Sequence, residues 1–216
     1  AERVFETLDL LEDVQDTGKM EACDFDKSIS FQNVWFAYED ENWVLKDFSL
    51  TIQPGQMIAF VGATGAGKST VINLLGRFYE YQKGTILIGD VDLKDLRLAT
   101  LRKNISVVLQ DVFLFSGSIQ ENISLFREQV DHGVIEGPEL FERGANLSMG
   151  ERQKVAFGRA KASVPDLWIL DEATSNVDSI TELELARELR ESAQEKTQIL
   201  VAHRLATVRD CDLIVV

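Results

Sequence analysis

The chain has 216 residues, 45% of them apolar and 27% charged, a globular composition long enough to bury one substantial core. Its 36 acidic residues against 22 basic ones leave a formal charge of -14, which repels a phosphate backbone and argues against nucleic acid as a partner. No apolar run approaches the ~20 residues that cross a bilayer.

In chain order, residues 1–27 are acidic, with Val4, Phe5, Leu8 and Leu11 at loose helical spacing until Thr17-Gly18-Lys19 breaks the pattern; this reads as a linker. The start at Ala1, without a signal-peptide pattern, reads as a fragment of a longer chain. From Ile29 to Phe36 and from Val44 to Ile52 apolar and polar residues partly alternate, predicting an antiparallel pair joined by a turn over Tyr38 to Asn42. Pro54-Gly55 then leads into Met57 to Val61, a short continuous apolar run expected of a strand buried on both faces. Val71, Leu74, Leu75 and Phe78 recur at helical spacing, and Gly84 restarts a strand over Thr85 to Ile88. Further buried strands are expected at Ile105 to Leu109, Leu167 to Leu170, Gln198 to Ala202 and Leu213 to Val216. Strands alternating with helical stretches imply a parallel α/β core. Ser148-x-x-Glu151 and Ser179-x-x-Glu182 both have the capping-box spacing that opens a helix. Cys23 and Cys211 lack any metal-ligand spacing and read as reduced thiols of a cytosolic protein, a disulfide being the less favoured alternative.

Two segments carry chemistry. Gly62-Ala63-Thr64-Gly65-Ala66-Gly67-Lys68-Ser69 fits G-x-x-x-x-G-K-[ST] between a strand and a helix, where glycines let the backbone fold into a nest of N–H groups that solvate phosphate. Lys68 would reach the β- and γ-phosphates and the Ser69 hydroxyl would ligate Mg²⁺. The competing reading is a glycine-rich turn that merely starts a helix. Leu167 to Leu170 delivers Asp171 and Glu172 at its carboxyl end, where open α/β sheets bind ligands. Asp171 suits a Mg²⁺ contact, and Glu172 can orient and deprotonate a water; alternatively both are solvated loop carboxylates.

The segment Asn146-Leu147-Ser148-Met149-Gly150-Glu151-Arg152-Gln153 resembles the signature motif of ABC ATPases, and it lies between the glycine loop and the Asp171-Glu172 strand in that family's order. Asp171 to Asp178 resembles the family's acidic strand and D-loop, Val201 to Leu205 its switch histidine at His203, Gln110 its Q-loop, and Tyr38 its adenine-stacking aromatic. Arg3 to Asp9 and Glu142-Arg143-Gly144 resemble segments of exporters, and Leu109 to Ser116 with Ala173 to Asp178 look especially like one half of bacterial multidrug or lipid exporters, often heterodimeric. The resemblance implies a P-loop NTPase fold of the RecA-like type. Residues 1–27 would be the linker from a transmembrane domain, 28–56 an antiparallel β part, 57–110 and 163–216 the core, and 111–162 a helical subdomain. It further implies an ATP-hydrolysing motor at the cytoplasmic face of the membrane, using ATP and Mg²⁺. Its partners would be a second nucleotide-binding domain, identical or not, and the transmembrane domains of an exporter.

Residue by residue, the nucleotide would meet Tyr38, Gly62, Thr64, Gly65, Ala66, Gly67, Lys68, Ser69, Thr70 and Gln110. Ser69, Gln110 and Asp171 would serve Mg²⁺, and Glu172, His203 and Lys68 catalysis. Ser148 and Gly150 would touch the γ-phosphate bound by the partner, and Asp178 would communicate across the pair. Without the resemblance, Gln110 and His203 read as structural residues and Tyr38 as a strand-end aromatic beside Trp35, Phe36 and Trp43. The sequence departs from the family at Met149, usually Gly, at Glu151, often Gln, and at Lys161, usually apolar. Only 38 positions separate Gln110 from Ser148, so the helical subdomain is expected to be shortened. The alternatives are a nucleotide-binding module without turnover and a soluble ABC ATPase outside transport.

Overall fold

The computed structural model describes residues 14–125, 137–171, 187, 196–202 and 208–216. The alternating segments form β1 (Ile29–Ala37) and β2 (Trp43–Ile52), which pair antiparallel. The continuous apolar runs form β3 (Met57–Phe60), β6 (Ile105–Val108), β7 (Leu167–Asp171), β8 (Thr197–Val201) and β9 (Leu213–Val215), a five-stranded sheet in the order β6-β7-β8-β3-β9 whose strand pairs are all parallel. The strand that follows Gly84, β4 (Lys83–Ile88), does not enter this sheet. It pairs antiparallel with β1, and with β5 (Val91–Asp92) completes a four-stranded sheet in the order β2-β1-β4-β5. The antiparallel unit therefore draws on residues well beyond 28–56.

Four helices are described: α1 (Lys68–Leu75), α2 (Leu98–Asn104), α3 (Ile119–Ser124) and α4 (Met149–Ala162). One apolar cluster takes Phe31, Val34 and Ile86 from the antiparallel sheet, Val71, Leu74 and Leu75 from α1, and Ile58, Leu167, Ile169 and Ile199 from the parallel sheet. Trp168, Leu170 and Leu200, the alternate residues of the same strands, join Ala156, Phe157 and Ala160 of α4 in a second cluster. Both faces of β7 are thus buried, as its unbroken apolar run requires. A third cluster, Leu114, Ile123, Leu140, Leu147 and Val155, packs the segment between β6 and α4.

Polar atoms complete that segment. Asn122 is 1% exposed; its Oδ1 accepts from Phe115 N at 2.8 Å, and its Nδ2 donates to Phe115 O at 2.9 Å and Ser118 O at 3.0 Å. Arg159 of α4 donates to Asn122 O at 2.9 Å and Phe113 O at 3.1 Å, and its partial burial lowers its pKa. Lys161, the departure noted in sequence, is exposed on α4.

Residues 14–27 are fastened to the domain. Val14 and Phe25 are buried, Lys19 and Met20 N–H donate to Asp95 O, Arg97 N–H donates to Met20 O, and Arg97 pairs with Glu21 at 2.6 Å. A Cβ on Gly18 would stand 2.1 Å from Leu96 O, so only glycine allows the segment to lie this close. Arg77, 1% exposed at the end of α1, donates to Leu96 O at 2.6 Å, Glu80 Oε1 at 3.0 Å and Gln15 O at 3.4 Å. The helical pattern at Val4 to Leu11 lies outside the described residues.

Candidate nucleotide site

The site is built on the carboxyl edge of the parallel sheet. In register, Val108 of β6 stands beside Leu170 of β7, Asp171 beside Val201 of β8, and Val201 beside Phe60 of β3. Because these strands are parallel, the residues that follow them emerge along one line: Gln110 after β6, Asp171 at the end of β7, Ala202 after β8, and the glycine loop after β3.

The loop turns sharply through three positive φ values, +150° at Gly62, +86° at Gly65 and +91° at Gly67. Gly67 is the N-cap of α1, in the left-handed region, where a side chain is strained and a Cβ would meet Leu45 Cδ2 at 3.1 Å. Lys68 is 9% exposed, and its ammonium arches back to donate to Gly62 O at 2.7 Å and Ala63 O at 2.9 Å. A cation is thereby held against a loop whose amides run into a helix N-terminus, an environment that attracts phosphate. Thr64, Gly65 and Ala66 form the exposed rim, Ser69 is exposed at the first turn of α1, and Thr70 is buried. Among the described residues there is no group of three or more His, Cys, Asp or Glu side chains able to hold a metal. A Mg²⁺ that rides on phosphates needs less, and a hydroxyl such as that of Ser69 with one carboxylate such as Asp171 suits it.

Tyr38 projects from the turn after β1, with 45% of its surface exposed. Its hydroxyl lies 3.1 Å from Thr70 Oγ1 and accepts from Asn73 Nδ2 at 3.1 Å, which brings the loop before β2 onto α1. Ser148 is the N-cap of α4, and the capping box is present as expected. Glu151 Oε2 accepts from Ser148 N and from Ser148 Oγ, both at 2.8 Å, while Ser148 Oγ accepts from Glu151 N at 3.3 Å. These bonds hold the Glu151 carboxyl below the ordinary glutamate pKa, the backbone amide of Ser148 first and its hydroxyl second. Gly150 sits in the first turn of the same helix.

The structure also joins α4 to the loop after β6 through a residue the sequence did not single out. Gln153, 2% exposed, donates from Nε2 to Gln110 O at 3.0 Å and Leu109 O at 3.4 Å. The buried hub at Asn122 was equally unmarked, although Ser118-x-x-Glu121 beside it has the spacing of a capping box and forms one. Glu172, Asp178, Ser179, Glu182 and His203 lie outside the described residues.

A glycine loop at the carboxyl edge of a parallel sheet, flanked by an antiparallel sheet and a capped helix, defines a P-loop nucleotide-binding domain. Residues 45–175 match the family model described as ABC transporter, and the chain belongs to that family. It is 40% identical over its whole length to the fatty acid ABC transporter ATP-binding/permease protein of Mycobacterium bovis, covering 37% of that protein. It is 36% identical to the ATP-dependent lipid A-core flippase of Syntrophus aciditrophicus, covering 39% of it. A solved structure of a bacterial Atm1-family ABC exporter with ATP bound matches all of this chain and 41% of its own, at 32% identity and a TM-score of 0.89. The chain thus spans about two fifths of the length of these proteins. The mycobacterial alignment runs over 235 residues against 216 here, so that relative carries residues without a counterpart in this chain. No helix among the described residues is long and apolar enough to cross a membrane.

Proposed function

We propose that this chain is the ATP-hydrolysing motor domain of an ABC exporter and that it works as one of a pair. The observation that carries this reading is the alignment of the glycine loop, Asp171 and Gln110 along one sheet edge, with Ser148 exposed at the start of another helix.

In this reading the loop amides and Lys68 take the β- and γ-phosphates, with Gly62, Thr64, Gly65, Ala66, Gly67 and Thr70 lining the cradle, and Tyr38 stacks on the adenine. Ser69, Asp171 and Gln110 hold Mg²⁺, which when bound spreads the negative charge of the β- and γ-phosphates. Glu172 orients a water and accepts its proton as the water oxygen bonds to the γ-phosphorus. The bond from that phosphorus to the β–γ bridging oxygen breaks, releasing ADP and inorganic phosphate. His203 steadies the γ-phosphate or the attacking water. Ser148 and Gly150 face the γ-phosphate held by the partner domain, where a helix N-terminus suits the anion, and Asp178 relays between the two domains.

Transmembrane domains are the natural load for this motor, since the names of similar proteins join an ATP-binding part to a permease. A groove of about 260 Å³ between β6, α3 and α4, lined in part by Leu109, Val112, Phe113, Leu125 and Arg159, supports docking of that partner on this side. The reading places the domain at the cytoplasmic face of a membrane.

The test is ATP turnover by the wild-type chain and by Glu172→Gln over a range of protein concentration. A loss of roughly a hundred-fold or more on substitution, in the range expected when a general base is removed, and a specific activity that rises with concentration are expected. Equal rates would remove Glu172 as the base. A specific activity independent of concentration, in a chain proven monomeric, would remove the shared site. ATP binding that needs Lys68 without turnover in the pair would leave a binding module.

A further inference from the structure

Tyr38 is held far more firmly than its exposure suggests. Its ring meets Phe36 edge-on at 4.7 Å and 86°, and Tyr79 at 4.9 Å and 89°. Phe36, 1% exposed, also meets Tyr79 at 5.9 Å, so the three rings brace one another above the core. The hydroxyl is fixed as well. An amide nitrogen can only donate, so the Tyr38 oxygen accepts from Asn73, and the Tyr38 and Thr70 hydroxyls share a second hydrogen bond in which either can donate. Thr70 and Asn73 stand three residues apart on α1 and therefore share a face, and Thr70 directly follows Ser69. These two bonds, to Asn73 and to Thr70, tie the exposed ring to the helix that opens at the phosphate loop.

We propose that Asn73 and Tyr79 are positioning residues for the nucleotide base: they set the height and tilt of the Tyr38 ring, so that base and phosphates are received at a fixed separation. This rests on the reading of Tyr38 as the adenine platform. A free exposed tyrosine must give up rotamer freedom when a ligand lands on it, whereas a braced one has already done so. Each edge-on ring pair is worth roughly two- to ten-fold in affinity when its contribution is felt in binding.

The experiment titrates the full chain with ATP and, separately, with inorganic tripolyphosphate, which offers the phosphates without a base. Asn73→Ala and Tyr79→Leu should each weaken ATP by about three- to ten-fold and leave tripolyphosphate unchanged. Tyr38→Phe keeps the ring, loses the hydroxyl with its bonds to both Asn73 and Thr70, and should weaken ATP at least as much as Asn73→Ala. Because Tyr38→Phe already removes the bond to Asn73, the double variant should be no weaker than Tyr38→Phe alone. Tyr79→Phe should recover wild-type affinity, since the ring makes the contact. Unchanged ATP affinity in Asn73→Ala and Tyr79→Leu, beside a large loss in Tyr38→Ala, overturns the positioning roles while the platform stands. Unchanged ATP affinity in Tyr38→Ala overturns the platform itself. A parallel loss of tripolyphosphate binding in Asn73→Ala and Tyr79→Leu means a merely structural role and also overturns the proposal. Tyr38→Phe, nearly isosteric on an exposed ring, reads the hydroxyl bonds even where Tyr79→Leu does not fold.

Discussion

Replacing Asn122 by Ala removes the hub that holds the segment between β6 and α4. The side chain is 1% exposed, accepts from Phe115 N at 2.8 Å, and donates to Phe115 O at 2.9 Å and Ser118 O at 3.0 Å. Each bond contributes about 1 kcal/mol net, and a buried partner left unpaired costs about 1–3 kcal/mol. Phe115 is exposed and Ser118 half-buried, so the expected total is about 2–3 kcal/mol. With a urea slope of about 2 kcal/mol/M, the unfolding midpoint should fall by about 1–1.5 M, read by far-UV circular dichroism. Asn122→Asp separates hydrogen bonding from volume. It keeps the shape and the acceptor that Arg159 Nη2 meets at 3.4 Å, but turns a carboxylate oxygen toward the two carbonyls that the amide nitrogen now serves, and it should still destabilise. A shift below about 0.3 M for both variants refutes the hub.

Gly67→Ala forces a side chain into φ +91° with Leu45 3.1 Å away, so nucleotide affinity should drop at least ten-fold and stability by about 1–2 kcal/mol, by calorimetric titration and thermal melting. Glu151 is held below the ordinary glutamate pKa by Ser148. Its stabilisation of the α4 start is therefore complete above the unfolded glutamate value and lost as pH falls through the lower folded one. The Ser148 amide resonance should titrate with a midpoint below 4.5, the ordinary value, and should stop titrating in Glu151→Gln; a midpoint at or above 4.5 contradicts the capping geometry. Burial, reinforced by Asp24, pushes the Cys23 thiol up to about 11, so its alkylation near neutral pH should be far slower than that of a free thiol and should accelerate only at strongly alkaline pH.

Much of the sheet could be read from hydrophobicity. Leu167, Trp168, Ile169 and Leu170 form an unbroken run because odd and even residues enter different clusters on the two faces of β7. The sheet that receives β4 could not be read the same way, because Thr85 to Ile88 suits either sheet and its partner Phe31 lies more than fifty residues earlier. The glycine loop was legible since its geometry demands glycine at Gly65 and Gly67, and the capping box at Ser148 since its spacing is local. Gln153, Asn73 and Tyr79 were not. Each has its partner in another element, at Gln110 or Tyr38, and even the motif that ends at Gln153 does not say which backbone that side chain reaches.

The fastening of residues 14–27 has a mechanical meaning. As a free chain that stretch would give roughly 45 Å of slack at full extension, enough to let the domain swing well away from whatever lies upstream. Bonded to Asp95 and Arg97, with Arg77 gripping Gln15 from the end of α1, it gives almost none. A pull on the chain ahead of Val14 is delivered to the far end of the helix that begins at Lys68.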